Sequence, residues 1–363
     1  MLQPTRITPL RNSTHQVMIL RKLVPLFLAL AMPAIAQDFL QIPGKDGPGK
    51  GKHVVLISGD EEYRSEESMP MLAKILSQRH GFDCTVLFSA DADGTIHPTG
   101  QELLTNPAAL DSADAIIILT RFRKWPDDSM KKFEAAYLRG VPFVALRTST
   151  HAFAGLKAPW DKYNNGAKGE MDGGFGRYVF GEKWVAHHGA HKKEGTRAII
   201  EPSAKDDPIL RGVSDVFANT DVYTANPMPD SKILMRGEVT ATLAADSPAV
   251  DGPKNNPMQP IVWSRLHQNS AGKTNRVLCT TMGAATDLTN EGLRRLVVNG
   301  VYWGLGMDVP AKADVTLVDE YEPSFYGFGG ERKGLKVSDL GLGKGLPKRD
   351  DAPKPAAPAP APK

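Results

Sequence analysis

The sequence predicts an α/β fold with a doubly wound parallel sheet and an antiparallel extension, on three observations. Four short apolar runs, at residues 53–58, 84–88, 115–119 and 143–146, are separated by polar turns and helix-forming stretches. That βαβ alternation implies parallel strands joined by right-handed crossovers. Within each run apolar residues follow one another without alternation, as in strands covered on both faces. Further along, strand-like runs at 197–200, 232–235, 261–266 and 276–281 are bounded by turn clusters such as Asn269-Ser270-Ala271-Gly272. Those read as hairpins that extend the sheet.

In chain order, residues 37–52 are rich in Gly, Pro and Lys and read as a linker. After the first strand a polar turn, 59–64, leads into a helix. Its cap is Ser65 or, by preference, Ser68, because Pro70 belongs in a first turn. Met69, Leu72, Ala73 and Leu76 form its apolar stripe, and Gly81 stops it. A short helix is expected at 101–104 and a longer one at 127–139, ended by Gly140. The stretch 154–183 is rich in Gly and aromatics without periodicity, and a loop of that length is usually functional. A last helix, 288–305, carries Leu293, Leu296, Val297 and Val301 on one face, with Thr286 as its cap. Residues 311–345 read as an extended arm, and 346–363 as a disordered Pro/Ala-rich tail. The folded domain is thus expected over 53–310.

The bulk properties narrow the class. Of 363 residues, 41% are hydrophobic and 23% charged, which suits a water-soluble globular domain. The net charge of +3, without a basic run interleaved with aromatics, argues against nucleic acid as a partner. Cys84 and Cys279 both lie in strand-like runs and read as buried apolar residues, not as a disulfide or a zinc site. Near the N-terminus, a basic segment at 18–23, an apolar one at 24–32 and Ala34-Ile35-Ala36 form a cleavable signal-peptide pattern over 1–36, with Met18 an alternative start. Export to the periplasm or beyond is expected. The apolar run is far short of the roughly 20 residues of a spanning helix, so no transmembrane span is expected in the mature chain.

In open parallel sheets ligands gather at the carboxyl ends of the strands. Here the first strand ends in Asp60, Glu61, Glu62, Tyr63 and Arg64, and the third in Arg121, Phe122, Arg123, Lys124 and Trp125. The fourth ends in Arg147, Thr148, Ser149, Thr150 and His151. The acidic run also suits a helix dipole. Arg121 and Arg123 either pair with Asp60 or Glu61 or grip an anionic or polyhydroxyl ligand. Arg147 leaves a buried strand and must find partners, which favours a functional role. Ser149 beside His151 lacks the flanking glycines of a nucleophile elbow. His187, His188 and His191 supply imidazoles for acid/base work. The four-residue spacing of His187 and His191 would suit zinc on a helix, but Gly189 and the strand-like Trp184-Val185-Ala186 argue against a helix. A divalent metal at His187 and His188 with a carboxylate, as in a metal-dependent hydrolase, stays an alternative that the unspecified third ligand does not favour, so no metal is assigned. Asp287 either begins the last helix or faces the pocket.

In order, residues 54–60, 143–151, 185–188, 221–223, 260–263, 281–283 and 295–303 resemble the ThuA-like (trehalose-utilisation) family, most specifically in Arg295-Leu296-Val297-Val298-Asn299-Gly300-Val301-Tyr302-Trp303. The resemblance spans about residues 50–310. It implies a class I glutamine amidotransferase-like, flavodoxin-related fold, with Arg147 where an amidotransferase places its nucleophilic cysteine. It also implies sugar metabolism, on keto-glucosides or disaccharides, by acid/base chemistry without glutaminase activity. Family members carry His-Ser where this chain has Arg147-Thr148, and Gly-His where it has Gly283-Ala284. The expected catalytic residues are therefore Arg147, His151, His187 and His188. Expected at the substrate are Asp60, Glu61, Tyr63, Arg64, Arg121 and Arg123, together with Thr148, Ser149 and Asp287. The expected partner is a small-molecule sugar; a homo-oligomer and a sugar-binding module without catalysis stay open.

Overall fold

Continuous apolar strands need cover on both faces, and a mixed ten-stranded sheet provides the frame. The structure, a computed structural model, describes residues 38–348. The signal-peptide pattern and nearly all of the Pro/Ala-rich tail lie outside the described residues. The strands are β1 (Leu40–Ile42), β2 (His53–Gly59), β3 (Asp83–Leu87), β4 (Ala115–Thr120), β5 (Phe143–Leu146), β6 (Ala186–His187), β7 (Gly195–Ile200), β8 (Phe217–Ala218), β9 (Tyr223–Thr224), β10 (Lys232–Thr240), β11 (Gln259–Gln268) and β12 (Thr274–Thr280). Their order in the sheet is β1-β3-β2-β4-β5-β12-β11-β10-β7-β8, with β6 and β9 paired separately. Strands β3, β2, β4, β5 and β12 run parallel, and β12, β11, β10, β7 and β8 continue antiparallel.

The period of two along each strand sorts side chains into two cores. Val54 and Leu56 of β2 join Ile117 and Leu119 of β4 beneath α1 (Ser65–His80) and α3 (Glu291–Gly304). Val55 and Ile57 join Ile116 and Ile118 on the opposite face, against Met130, Phe133 and Tyr137 of α2 (Asp127–Leu138). Helices therefore cover both faces of an α/β sheet.

Several expectations are corrected. Leu40–Ile42, assigned to a linker, is an edge strand antiparallel to β3. The helix expected at 101–104 is a turn, and a short 3-10 helix, Pro107–Ser112, follows instead. Helix α1 begins at Ser65 with Pro70 inside it. It starts early because Glu67 and Ser68 N–H groups already reach the Arg64 carbonyl, at 3.0 and 3.2 Å. Pro70 therefore lies in the second turn, where it gives up the hydrogen bond to the Glu66 carbonyl. Asn290, not Thr286, caps α3, its side chain accepting from Leu293 N–H. The stretch 154–183 sends Tyr163, Phe175 and Phe180 into the second core, where they pack with Phe133, Phe143 and Phe153. Gly176 permits this, since a Cβ there would lie 1.8 Å from the Thr150 carbonyl oxygen. The arm after α3 runs back along the first core, burying Ala313, Val315, Tyr321 and Val337. Among the described residues no helix is long and apolar enough to cross a membrane.

Candidate functional site

Three parallel strands deliver their terminal turns to one end of the sheet, and the charges there first satisfy one another. Asp60, fully buried, folds the turn after β2: one carboxylate oxygen accepts from the Glu62 and Tyr63 N–H groups at 2.7 and 2.6 Å. Its other oxygen accepts from Thr148 Oγ1. Ser149 Oγ donates to the Ile118 carbonyl (2.8 Å) and accepts from Thr120 N–H (3.3 Å). Thr148 and Ser149 are thus tethers between strand ends, and Ser149 has no free hydroxyl for nucleophilic attack. Glu61 bridges Arg121 Nη1 (2.6 Å) and the buried Arg123. Arg123 spends its remaining donors on the Arg121 and Pro98 carbonyls. Arg64, buried in the left-handed region at φ 58°, donates to the Glu61 and Gly327 carbonyls.

Arg147 is the keystone of this end. It opens the short 3-10 turn after β5 at φ 37°, a strained backbone for a side-chain-bearing residue. Its side chain is fully buried. Nη1 donates to the Thr281 and Asp221 carbonyls (2.8 and 3.2 Å), and Nη2 to Tyr63 Oη (3.1 Å) and Asp221 Oδ1 (3.0 Å). The guanidinium lies 4.3 Å from the Tyr63 ring centre and 4.2 Å from that of Tyr223. It therefore sits under the site, orienting Asp221, and does not itself face solvent.

Asp221 is where the histidines meet. His187 Nδ1–H donates to its Oδ2 (2.6 Å) and His191 Nδ1–H to its Oδ1 (3.0 Å). Burial alone would push the Asp221 carboxyl up, but these two hydrogen bonds and the Arg147 charge hold it well below the usual carboxylate range. An ionised carboxylate only accepts, so both rings place their protons on Nδ1 and turn Nε2 outward. His191 Nε2 lies 3.3 Å from Glu62 Oε1. Burial first, and then the neighbouring Asp60, raise the Glu62 carboxyl above its ordinary value. His187 has 38% of its side chain exposed, so this end of the cluster faces solvent.

Local sequence explains the convergence. The β6–β9 pair sets His187 opposite Tyr223, and the His188 and Gly189 N–H groups both bond the Val222 carbonyl. Gly189 lets the loop approach that closely: a Cβ there would be 3.2 Å from Asp221 Cβ. From the other side Asp287 accepts from Thr220 N–H and Oγ1 (3.1 and 2.7 Å) and from Gly283 and Ala284 N–H (both 3.0 Å). Asp287 is a buried tether beside Asp221, not a pocket-facing group.

Around this centre the side chains form a circuit. Arg121 lies over Phe122 (4.7 Å), and tilted ring contacts join Phe122 to His151 (4.9 Å) and His151 to Trp184 (5.2 Å). Trp184 meets His187 (4.9 Å), His187 meets His191 (4.6 Å), and His191 meets Tyr326 (5.5 Å). The arm returns to Arg121 through Phe328, 5.0 Å from its guanidinium. Tyr326 also stacks on Tyr63 at 5.4 Å and donates to the Asn219 carbonyl. Burial, with the Arg121, Arg147 and His187 charges adding to it, lowers His151 well below the ordinary histidine value. His151 is therefore a neutral imidazole.

The structure thus brings Tyr63, Arg121, His151 and His187 together at this end, with Arg147 beneath. His188 does not join them: its Nε2 bonds the Lys254 carbonyl at 2.8 Å. A cation held by His187 and His188 is accordingly not what the geometry offers; the three side chains within reach of one ion are His187, His191 and Asp221. The sequence reading named Glu62 and His191 without placing them among the expected site residues, and it left out Asp221, Trp184 and Tyr326. The usable signal for Asp221 was a carboxylate next to the apolar Val222-Tyr223.

No family model matches the chain, and no curated relative matches it either. Among solved structures it is similar to a ThuA-like protein from Parabacteroides merdae, at 15% identity and TM-score 0.47 over 72% of this chain and 92% of that one. A ThuA-like protein from Bacteroides uniformis is similar at 14% identity and TM-score 0.44, over 74% and 96%. The exo-β-1,4-mannosidase Op5Man5 from Opitutaceae bacterium strain TAV5 aligns at 12% identity and TM-score 0.28, over 72% of this chain and 36% of its own.

Proposed function

We propose that this chain is an exported ThuA-like, carbohydrate-processing enzyme that works on keto-glucosides or disaccharides by proton transfer. Its fold, in this reading, is the flavodoxin-related one of class I glutamine amidotransferases. The ordered motifs from residue 54 to 303 support the family, and one geometric observation carries the chemistry. A single buried carboxylate, Asp221, accepts hydrogen bonds from two imidazoles at a solvent-facing, aromatic-walled centre, and the outer nitrogen of one of them, His191, lies beside Glu62. Carboxylate-held imidazoles are suited to moving protons next to a carbonyl. Aromatic walls with a few convergent polar groups suit a small polyhydroxyl ring.

Glutaminase chemistry has no support. It requires a thiolate, and burial pushes both Cys84 and Cys279 well above the ordinary thiol value. Arg147 fills the position of that nucleophile as an organiser of Asp221. The test is incubation of the purified protein with glucosides and their 3-keto derivatives, followed by product analysis. Turnover by the wild type is expected, and His187→Ala should lower kcat by about 10²–10⁴-fold. Saturable binding without turnover would replace the enzyme with a sugar-binding module. A variant turning over at the wild-type rate would remove the site.

A further inference from the structure

The same three side chains can do something that hydrogen bonding alone does not require. His187, His191 and Asp221 each offer one donor atom, all within 4.8 Å of one another, and the two ring centres are 4.6 Å apart. Ligand atoms around a tetrahedral ion at ordinary bond lengths are about 3.4 Å apart, so the set has to draw in by up to about 1.4 Å, within reach of side-chain rotation. We propose that this centre binds one divalent transition metal ion, with His187, His191 and Asp221 as its protein ligands.

Three features favour an ion over a bare cluster. The carboxylate is prearranged: Asp221 is fully buried and Arg147 fixes one of its oxygens at 3.0 Å. Such outer partners orient ligands and hold their geometry. The approach of the histidine loop is likewise built in, through the two bonds to the Val222 carbonyl and the small Gly189. Third, His187 faces solvent, which leaves an open position for water or substrate, as in catalytic sites with three protein ligands.

The donor set also selects the ion. Calcium and magnesium want several oxygen ligands, and here two of three donors are imidazole nitrogens beside a guanidinium. Zinc, manganese and iron accept that mixture. With the ion seated, His187 and His191 are ligands, and proton transfer falls to Glu62, whose Oε1 is 3.3 Å from the His191 ring. The inference shares its residues with the proton-transfer reading but stands without it.

Zinc is the probe. The full, untagged protein is stripped with a chelator, and zinc is added back while bound metal is counted and the melting temperature followed. One zinc per chain is expected, with a higher melting temperature, since a ligand bound only by the folded form stabilises it. His187→Ala and His191→Ala should each weaken zinc binding at least about 100-fold, the upper range for losing even an outer partner. His188→Ala, whose ring bonds Lys254, should bind as the wild type does. Absence of stoichiometric zinc in the wild type, or zinc retained by the His187→Ala/His191→Ala double variant, overturns the site. Turnover of a keto-glucoside by the stripped protein would leave the proton-transfer reading standing without the ion. Stoichiometric zinc with no sugar turnover would do the reverse.

Discussion

Arg147→Met is expected to destabilise the protein by about 3–5 kcal/mol, the usual cost of removing one partner from a buried ion pair. The guanidinium is fully buried and supplies four hydrogen bonds, two of them to main-chain carbonyls. Methionine would fill much of the space and satisfy none of those acceptors. Asp221 would keep its two imidazole donors but lose the permanent cation paired with it. The faces of Tyr63 and Tyr223 would lose their cation as well. Arg147→Lys should fall between, keeping the charge without the planar fork. Urea denaturation measures this directly. A loss below about 1 kcal/mol would mean that the pair contributes no more than a surface ion pair does. Because domains are stable by only about 5–15 kcal/mol, the Met variant should also be visibly less abundant in cells.

The opposite sign is expected at Glu66. Its carboxyl is completely buried in the first turn of α1, and neither oxygen has a hydrogen-bond partner among the described residues. Burial first, and then the neighbouring Glu67, push it up to about 8. Glu67 itself is well held, by Ser324 N–H and Oγ and by Arg332. A carboxyl raised in the folded state leaves stability intact below its unfolded value near 4.5 and erodes it up to about 8. The full span corresponds to roughly 3–5 kcal/mol. Glu66→Gln should therefore melt higher than the wild type at pH 8, with the gap shrinking toward pH 5. A gap that stays constant from pH 5 to pH 8 would show that Glu66 is not protonated on folding.

Much of the fold was legible because burial on both faces leaves a mark that needs no partner to read. Val54 to Ile57 and Ile116 to Leu119 are apolar whichever way they point, and so are recognised without knowing what covers them. Elements whose stability comes from distant contacts left no such mark. Leu40–Ile42 is three residues long and is a strand only because β3 offers it an edge. Residues 154–183 have no period, yet Trp160, Tyr163, Phe175 and Phe180 all join the second core, since aromatic packing follows shape and not spacing.

The candidate site divides along the same line. The floor came from rules about strand ends, which placed Asp60, Arg121, Arg147 and Ser149 correctly in space. It could not tell which of them would be consumed by one another, because that depends on partners across the sheet. The proposed chemistry rests on Asp221 and His191, some 70 and 40 residues beyond Arg147 and outside the parallel strands, and on Glu62, one position from a residue already chosen. Tyr326 was out of reach for any local rule, being separated from Tyr63, on which it stacks, by most of the chain.

That last contact has a consequence for the timing of biosynthesis. A chain is made from its N-terminus, and nearly everything around the Asp221 centre is available once α3 has emerged. Tyr326, with Gly327 bonded to Glu62 and Arg64, is translated only after α3. Partly made or C-terminally clipped copies would have a formed sheet and an unfinished wall. The wall of the Asp221 centre is thus completed only after the sheet and α3 have been made.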